Sequence, residues 1–372
     1  MPDKGSVQSR RIGRRLFWIG GPALLVWPLA VAGWSFAIDQ GSIGLALPDV
    51  RSAGWEVTGS QADIRPSVTA DSDSAIIEFA PSSLIITEYL AYTGAEQPLK
   101  FNTLRTDLSN STVTLDYGAS GSWADRIAID GDIAVSATRV EHPILLPQAW
   151  NFEGRAEGRL SELRVQGTLV SDSGFSADLD VQLEPDGGVS VAIESVIDGK
   201  QGVRALADTL SGWPDLLTVD SGNARLWMAV STGRGGELEA SGIADLQDVR
   251  GVYNRTAVTG LSGRVRVSLE NSQVAASFRD LAVGEINAGI PVSSVRFSAD
   301  YNAPITELLA GTLEVQQARA RFLEGTLRVP PAVYELAGGS GRIPVEVEDI
   351  SLSRLMAVYP AEGLSGSGQL RG

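Results

Sequence analysis

Residues 175–197 read FSADLDVQLEPDGGVSVAIESVI, and their pattern decides the fold class. Phe175, Ala177, Leu179, Val181 and Leu183 alternate with Ser176, Asp178, Asp180 and Gln182; after Pro185-Asp186-Gly187-Gly188 the alternation resumes with Val189, Val191 and Ile193. Successive side chains of a strand point to opposite faces, so this period of two gives one apolar face and one wet face. The Asp-Gly-Gly turn supplies the positive φ that a tight antiparallel connection needs. The stretch is expected to be a β-hairpin with one face removed from water.

The same period recurs on both sides of it. Residues 75–79, 83–89, 101–108 and 111–117 read as strands, and Ile127, Ile129, Ile133 and Val135 alternate with Ala128, Asp130, Asp132 and Ala134. Toward the C-terminus, residues 158–170, 225–230, 236–243, 263–269, 274–281, 292–301, 312–315 and 325–334 repeat the strand and turn pattern. A spacing of about 8–15 residues is that of an antiparallel meander. Residues 39–60 read as a Gly/Ser/Pro-punctuated linker with a short first strand around Gly54, Trp55, Glu56 and Val57. Two stretches change period. Residues 202–210 (GVRALADTL) place Val203, Leu206 and Leu210 at helical spacing, and residues 350–359 (ISLSRLMAVY) do the same with Leu352, Leu355, Met356 and Tyr359. Each helix is followed by a Gly-containing, strand-like segment, a unit used twice, and repeats of this kind imply an architecture that grows by stacking.

Residues 16–38, LFWIGGPALLVWPLAVAGWSFAI, hold no charge over 23 positions. At helical rise that is roughly 35 Å, enough to cross a bilayer core. Trp18 and Trp34 stand near its two ends as interfacial anchors do, and Lys4, Arg10, Arg11, Arg14 and Arg15 precede it against the single Asp3. The positive-inside rule keeps that basic leader in the cytoplasm and sends the body across. Small-residue cleavage sites at Ala30-Val31-Ala32 and Ser35-Phe36-Ala37 also allow an export signal; the length and Trp content favour a retained anchor.

The chain has 372 residues and a formal net charge of −15, so the part beyond the basic leader is more acidic still. That balance argues against nucleic acid, whose phosphates require Lys and Arg, and against flat adhesion to anionic lipid. Cysteine is absent. Disulfides, thiolate metal sites and a Cys nucleophile are thereby excluded, and an exported body must hold together by burial and backbone pairing. His142, the one histidine, precedes Pro143 and has no second His or Cys to complete a zinc site or triad. The carboxylates are spread over polar strand faces, which solvation explains. No catalytic residue, metal or cofactor is expected, and the Gly-rich runs 338–341 and 363–368 lack the Lys-Ser/Thr ending of a phosphate loop and read as turns or strand bends.

The apolar side of this acidic β structure has two readings. Closed on itself or packed on a second sheet, it is core, and the protein is a non-enzymatic scaffold of the envelope. Curled into an open trough, it is a groove suited to acyl chains. Periodicity does not separate them.

From residue 248 onward the chain resembles the YdbH family of envelope proteins, related in style to the AsmA and TamB groups. The segments carrying the resemblance are 251–263 (GVYNRTAVTGLSG), 285–292 (EINAGIPV), 322–330 (FLEGTLRVP), and 350–360 (ISLSRLMAVYP) with 363–368 (GLSGSG). The resemblance implies a protein anchored in the inner membrane whose periplasmic body is a long β groove carrying phospholipids between the inner and outer membranes. A dicarboxylate-transport label also attaches to the family, but one span encloses no solute pathway. The family's pattern runs past the last Gly-rich motif, so the C-terminal end is expected to be truncated.

The expected organisation is therefore mainly β: a cytoplasmic leader (1–15), a transmembrane helix (16–38), the N-terminal part of a twisted antiparallel groove built from hairpins (39–247), and a YdbH-like groove region (248–372). Phe175, Leu179, Val181, Val189, Val191, Val265, Val267 and Leu269 are the candidate lipid-contacting residues. Phospholipid and the inner membrane are the expected partners, with an outer-membrane lipoprotein as a further candidate.

Overall fold

The structure is a computed structural model that describes residues 36–38, 41–47, 49–51, 54–92, 98–185, 187–232, 238–336, 342–358 and 366–372. The leader at 1–15, most of the expected membrane span, and the Gly-rich run at 338–341 lie outside the described residues or largely so. Among the described residues no helix is long and apolar enough to cross a membrane.

The body is one large antiparallel sheet laid down in chain order. Its edge is an interrupted strand made of β1 (Phe36–Ile38), β2 (Ile43–Leu47) and β3 (Val50–Arg51), all three paired to β4 (Trp55–Ala70). Then come β5 (Ser74–Ala91), β6 (Leu99–Asp116), β7 (Ile127–His142), β8 (Leu145–Arg159), β9 (Arg164–Ser171), β10 (Ser176–Leu183) and β11 (Val189–Asp198), each paired to the next. After the helix α1 (Gly199–Ala207) the meander continues through β12 (Leu217–Thr232), β13 (Leu238–Tyr253), β14 (Thr256–Glu270), β15 (Gln273–Asn287), β16 (Pro291–Pro304) and β17 (Thr312–Phe322). β18 (Gly325–Val329) and β19 (Ala332–Glu335) share the far side of β17, and β20 (Glu346–Glu348) extends β18. β21 (Ile350–Ser351), α2 (Leu352–Val358) and β22 (Gln369–Leu370) finish the chain, with β21 paired to β22. Among the described residues no pairing joins β1–β3 to β18–β20, so the sheet is open.

Two expectations change at the N-terminal side. Phe36–Ile38, the last residues of the expected span, pair in register with Val68–Ala70 as an edge strand, so a helix cannot run to Ile38. The sheet also starts before Gly54, because edge residues left unpaired on β4 would expose a row of backbone donors and acceptors.

Several expected short strands merge into longer ones. β5 runs through Pro81 and β6 through Asn110, positions whose residue types suggest turns. They are β-bulges, in which one extra residue bends the strand without ending it. Asn110, Asp248, Asp280 and Ser294 take positive φ of 50°, 47°, 51° and 52°. At two of them the freed amide is captured by a serine on the next strand: Asp248 N–H donates to Ser262 Oγ at 2.9 Å and Asp280 N–H to Ser298 Oγ at 3.1 Å. Register shifts follow one another across β12 to β17, at 219–223, 246–251, 262–264, 278–281 and 298–299. Bulges in neighbouring strands at matching heights bend the whole sheet along one line. Gly222 fits this crease because its φ is +113° and a Cβ there would lie 2.4 Å from Val249 Cα.

Packing is concentrated at the two ends of the strands in the first half. One cluster joins Val68, Ala70, Ala75, Ile77, Leu115, Ile127 and Leu160; the other joins Ala137, Val140 and Trp150, with Leu104, Leu169 and Phe175 against them. α1 seals the second cluster's rim: Thr209 Oγ1 and Ser173 Oγ both donate to Ala205 O, and Leu210 bridges to Leu145. α2 stands on the same rim, where Ser351 N–H donates to Leu323 O and Arg354 pairs with Glu324 at 2.8 Å. Both departures from the strand period are thus rim helices, a placement consistent with a unit used twice.

Candidate functional site

Directly paired residues of an antiparallel sheet lie on the same face, so the registers can be followed from strand to strand. Starting at Leu179, the row runs one way through Gly167, Gly154, Ile133 and Leu108 to Ser82, and the other way through Ile193, Met228, Gly242, Val267, Ala276, Tyr301 and Leu313 to Tyr334. The row two residues along passes from Gly131 through Ala156, Val165, Val181, Val191, Val230, Ala240, Leu269 and Val274 to Ala303. A third contains Leu84, Thr106, Val135, Phe152, Leu169 and Ala177 on one side and Leu226, Ala244, Val265, Phe278, Ala299 and Val315 on the other. None of the three rows holds a charged residue.

The alternate rows differ sharply. From Asp178 the opposite face reads Thr168, Glu153, Ala134, Asp107, Ser83 and Asp63 in one direction and Glu194, Trp227, Ile243, Arg266, Ser277, Asp300 and Glu314 in the other. Cross-strand ion pairs lace this side. Arg164 grips Asp180, Arg155 reaches Asp130 and Asp132, Arg264 holds Asp245, and Arg279 donates to both oxygens of Asp300 at 2.8 Å. The Arg164 guanidinium holds the Asp180 carboxyl below the usual carboxylate range, and Arg264 does the same for Asp245. Such exposed pairs add little to stability; their consequence is a face that stays hydrated.

Of the sequence-predicted residues, Leu179, Val181, Val189, Val191, Val265, Val267 and Leu269 all fall on the uncharged face. Phe175 lies just outside β10, in the turn from β9, with its ring edge-on to Trp150 at 6.2 Å and 73°. The uncharged face is not a sealed core. Val267 is 42% exposed and Met228 47%, and among the described residues Thr209 is the one large side chain below 2% exposure. The closed β core expected under the scaffold reading is not what the described residues form, because the sheet is open.

Residues that the sequence pattern did not single out join the face through register alone: Met228, Val230, Phe278, Tyr301 and Leu313. Phe278 and Phe297 pack with tilted rings 5.8 Å apart near the crease, and Tyr89 and Phe101 do the same near the edge. A period-two count over residues 225–230, 274–281, 292–301 and 312–315 contains the signal, since these ranges hold Met228, Val230, Phe278, Tyr301 and Leu313. His142 closes β7, its Nδ1 accepting from Ile144 N–H at 3.4 Å. Among the described residues no three His, Asp or Glu side chains converge to hold a metal ion.

Adjacent strands are spaced about 4.8 Å apart, so the uncharged rows from β5 to β17 extend on the order of 60 Å. That is a path rather than a pocket for one small molecule. The comparison with protein families agrees in kind: a family model described as YdbH-like, intermembrane phospholipid transport protein YdbH, matches residues 32–372. No curated protein and no solved structure matches the chain. The family match covers the whole sheet, both rim helices and the uncharged rows, and the chain belongs to the YdbH-like family of intermembrane phospholipid transport proteins.

Proposed function

We propose that the uncharged face shields phospholipid acyl chains while they move along the sheet between the inner and outer membranes, with the headgroups left in water. The observation that carries this reading is the absence of charge from three successive rows, two reaching from β5 to β17 and the third from β7 to β16, beside an opposite face rich in paired Arg and Asp. Leu179, Val181, Val191, Val265, Val267 and Leu269 contact the chains; Phe175 supports the rim through Trp150. Each methylene exposed to water costs about 0.8 kcal/mol, so bare passage of both tails costs on the order of 20 kcal/mol. A continuous apolar face removes most of that barrier and needs no catalytic group or cofactor. Residues 16–35 hold one end in the inner membrane, the body lies in the periplasm, and an outer-membrane lipoprotein receives the other end.

The test is lipid transfer between donor and acceptor vesicles by the full chain, with mass spectrometry of co-purifying lipid. Val267→Asp places a carboxylate on the proposed path; Val196→Asp does so on the opposite face, where Val196 is 61% exposed and opposite Arg225. A charge against hydrocarbon costs about 2.5–3.5 kcal/mol, so transfer should drop by more than about tenfold in Val267→Asp and stay unchanged in Val196→Asp. Equal transfer by the two variants, or no lipid with the purified chain, would overturn the reading.

A further inference from the structure

The wet face carries one patch that breaks its own rule. Arg296 on β16 is directly opposite Arg319 on β17, and Arg319 is directly opposite Arg328 on β18. Arg321 stands two residues along β17 on the same side, opposite Thr326. All four are exposed, and none forms an ion pair or a side-chain hydrogen bond with another described residue. Elsewhere on this face Arg155, Arg164, Arg264 and Arg279 each hold an aspartate. Like charges directly across a strand pair repel. A chain with 45 acidic residues against 30 basic ones has ample carboxylates, yet Glu346, opposite Arg328, makes no ion pair with it.

We propose that Arg296, Arg319 and Arg328, with Arg321, bind a phosphate-bearing anion on the side of the sheet opposite the lipid path. The geometry favours phosphoryl over carboxylate. One carboxylate has two oxygens and is satisfied by a single guanidinium fork, as Asp245 is by Nε and Nη2 of Arg264. Three guanidiniums in a row at about 4.8 Å spacing offer more donors than a carboxylate accepts, and match a group with three peripheral oxygens. The same phosphoryl chemistry is presented by free phosphate and by the headgroup layer of an anionic bilayer. The site does not depend on the lipid path, since it occupies the other face.

The test compares the full chain with the triple variant Arg296→Gln, Arg319→Gln, Arg328→Gln, and with Arg164→Gln as an arginine whose carboxylate partner is already present. Inorganic phosphate, against chloride at equal ionic strength, should raise the unfolding temperature of the wild type and of Arg164→Gln but not of the triple variant. Without phosphate the triple variant should be no less stable than wild type, because a repulsion has been removed. In the second arm, supported bilayers of phosphatidylglycerol and of phosphatidylcholine are offered to the detergent-solubilised chain. Capture on phosphatidylglycerol that falls by at least about tenfold in the triple variant assigns the anion to a bilayer headgroup. A phosphate effect without such capture assigns it to a free phosphate compound. Equal responses of wild type and triple variant in both arms would overturn the proposal.

Discussion

Gly154 and Gly167 stand directly opposite each other in the β8–β9 register, and neither has room for a side chain. A Cβ on Gly154 would lie 2.1 Å from Gln166 O, and one on Gly167 would lie 2.2 Å from Glu153 O. Both belong to the Leu179 row of the uncharged face, flanked by Ile133 and Leu179. The backbones approach here more closely than any Cβ permits, so the requirement is for glycine and not merely for a small residue. Gly167→Ala is expected to cost about 1–3 kcal/mol through forced backbone shifts, and Gly167→Val more. Urea unfolding of the two variants checks this; a Gly167→Ala variant as stable as wild type would show that the strands can part without cost.

Trp150 and Phe175 separate packing from lipid contact. Trp150 is 9% exposed and Phe175 abuts it, so both belong to the rim cluster beneath α1. Trp150→Ala should lower stability by about 3–5 kcal/mol and Phe175→Ala by about 1–3 kcal/mol. Val191→Ala removes two methyl groups from a half-exposed position on the open face and should cost less than either. Denaturation midpoints for the three variants give the ranking, and a large loss in Val191→Ala would mean that the face is covered in solution.

Ser82 is a bulge anchor. It is 5% exposed, accepts from Arg65 N–H at 3.0 Å and donates to Ala80 O at 2.7 Å. Ser82→Ala leaves that amide without its acceptor at a partly buried position, with an expected cost of about 1–3 kcal/mol. Hydrogen exchange at Arg65 should accelerate in the variant while amides of β14 and β15 keep their protection. Unchanged exchange at Arg65 would show that water replaces the hydroxyl.

The hairpin at 175–197 could be read from sequence because parity survives errors in strand ends. No bulge interrupts β10 or β11, so Leu179, Val181, Val189 and Val191 hold one face wherever the strands begin. Bulges could not be read in the same way. Asn110 and Asp248 are residue types that also make turns, and what keeps the chain extended past Asp248 is a hydroxyl on a different strand, Ser262. Phe175 continues the parity of Ala177, yet it lies one residue outside β10, where the turn redirects it to Trp150. The arginine row is invisible in sequence for a related reason: Arg296, Arg319 and Arg328 become neighbours only through two registers. Whether the apolar face is covered is a property of the whole sheet, and no local period encodes it.

Asp180 and Asp245 make the hydrated face sensitive to acid. Their carboxyls titrate below the ordinary value because Arg164 and Arg264 donate to them, whereas in the unfolded chain they return to about 3.9. A folded value below the unfolded one gives a contribution to stability that is complete above the unfolded value. It is lost as pH falls through the depressed value, while the arginines stay charged. Wild type should therefore lose stability as pH falls below about 4 more steeply than the variant Asp180→Asn, Asp245→Asn, the two curves converging at the acid end. Because both pairs are solvent-exposed, the difference between the curves should be small and should shrink in 1 M salt, where the screening length is about 3 Å. Urea midpoints against pH at low and high salt make the measurement. Parallel curves for wild type and variant would mean that the arginine forks do not persist in solution, and the opposite face would then owe its hydration to dispersed charge alone.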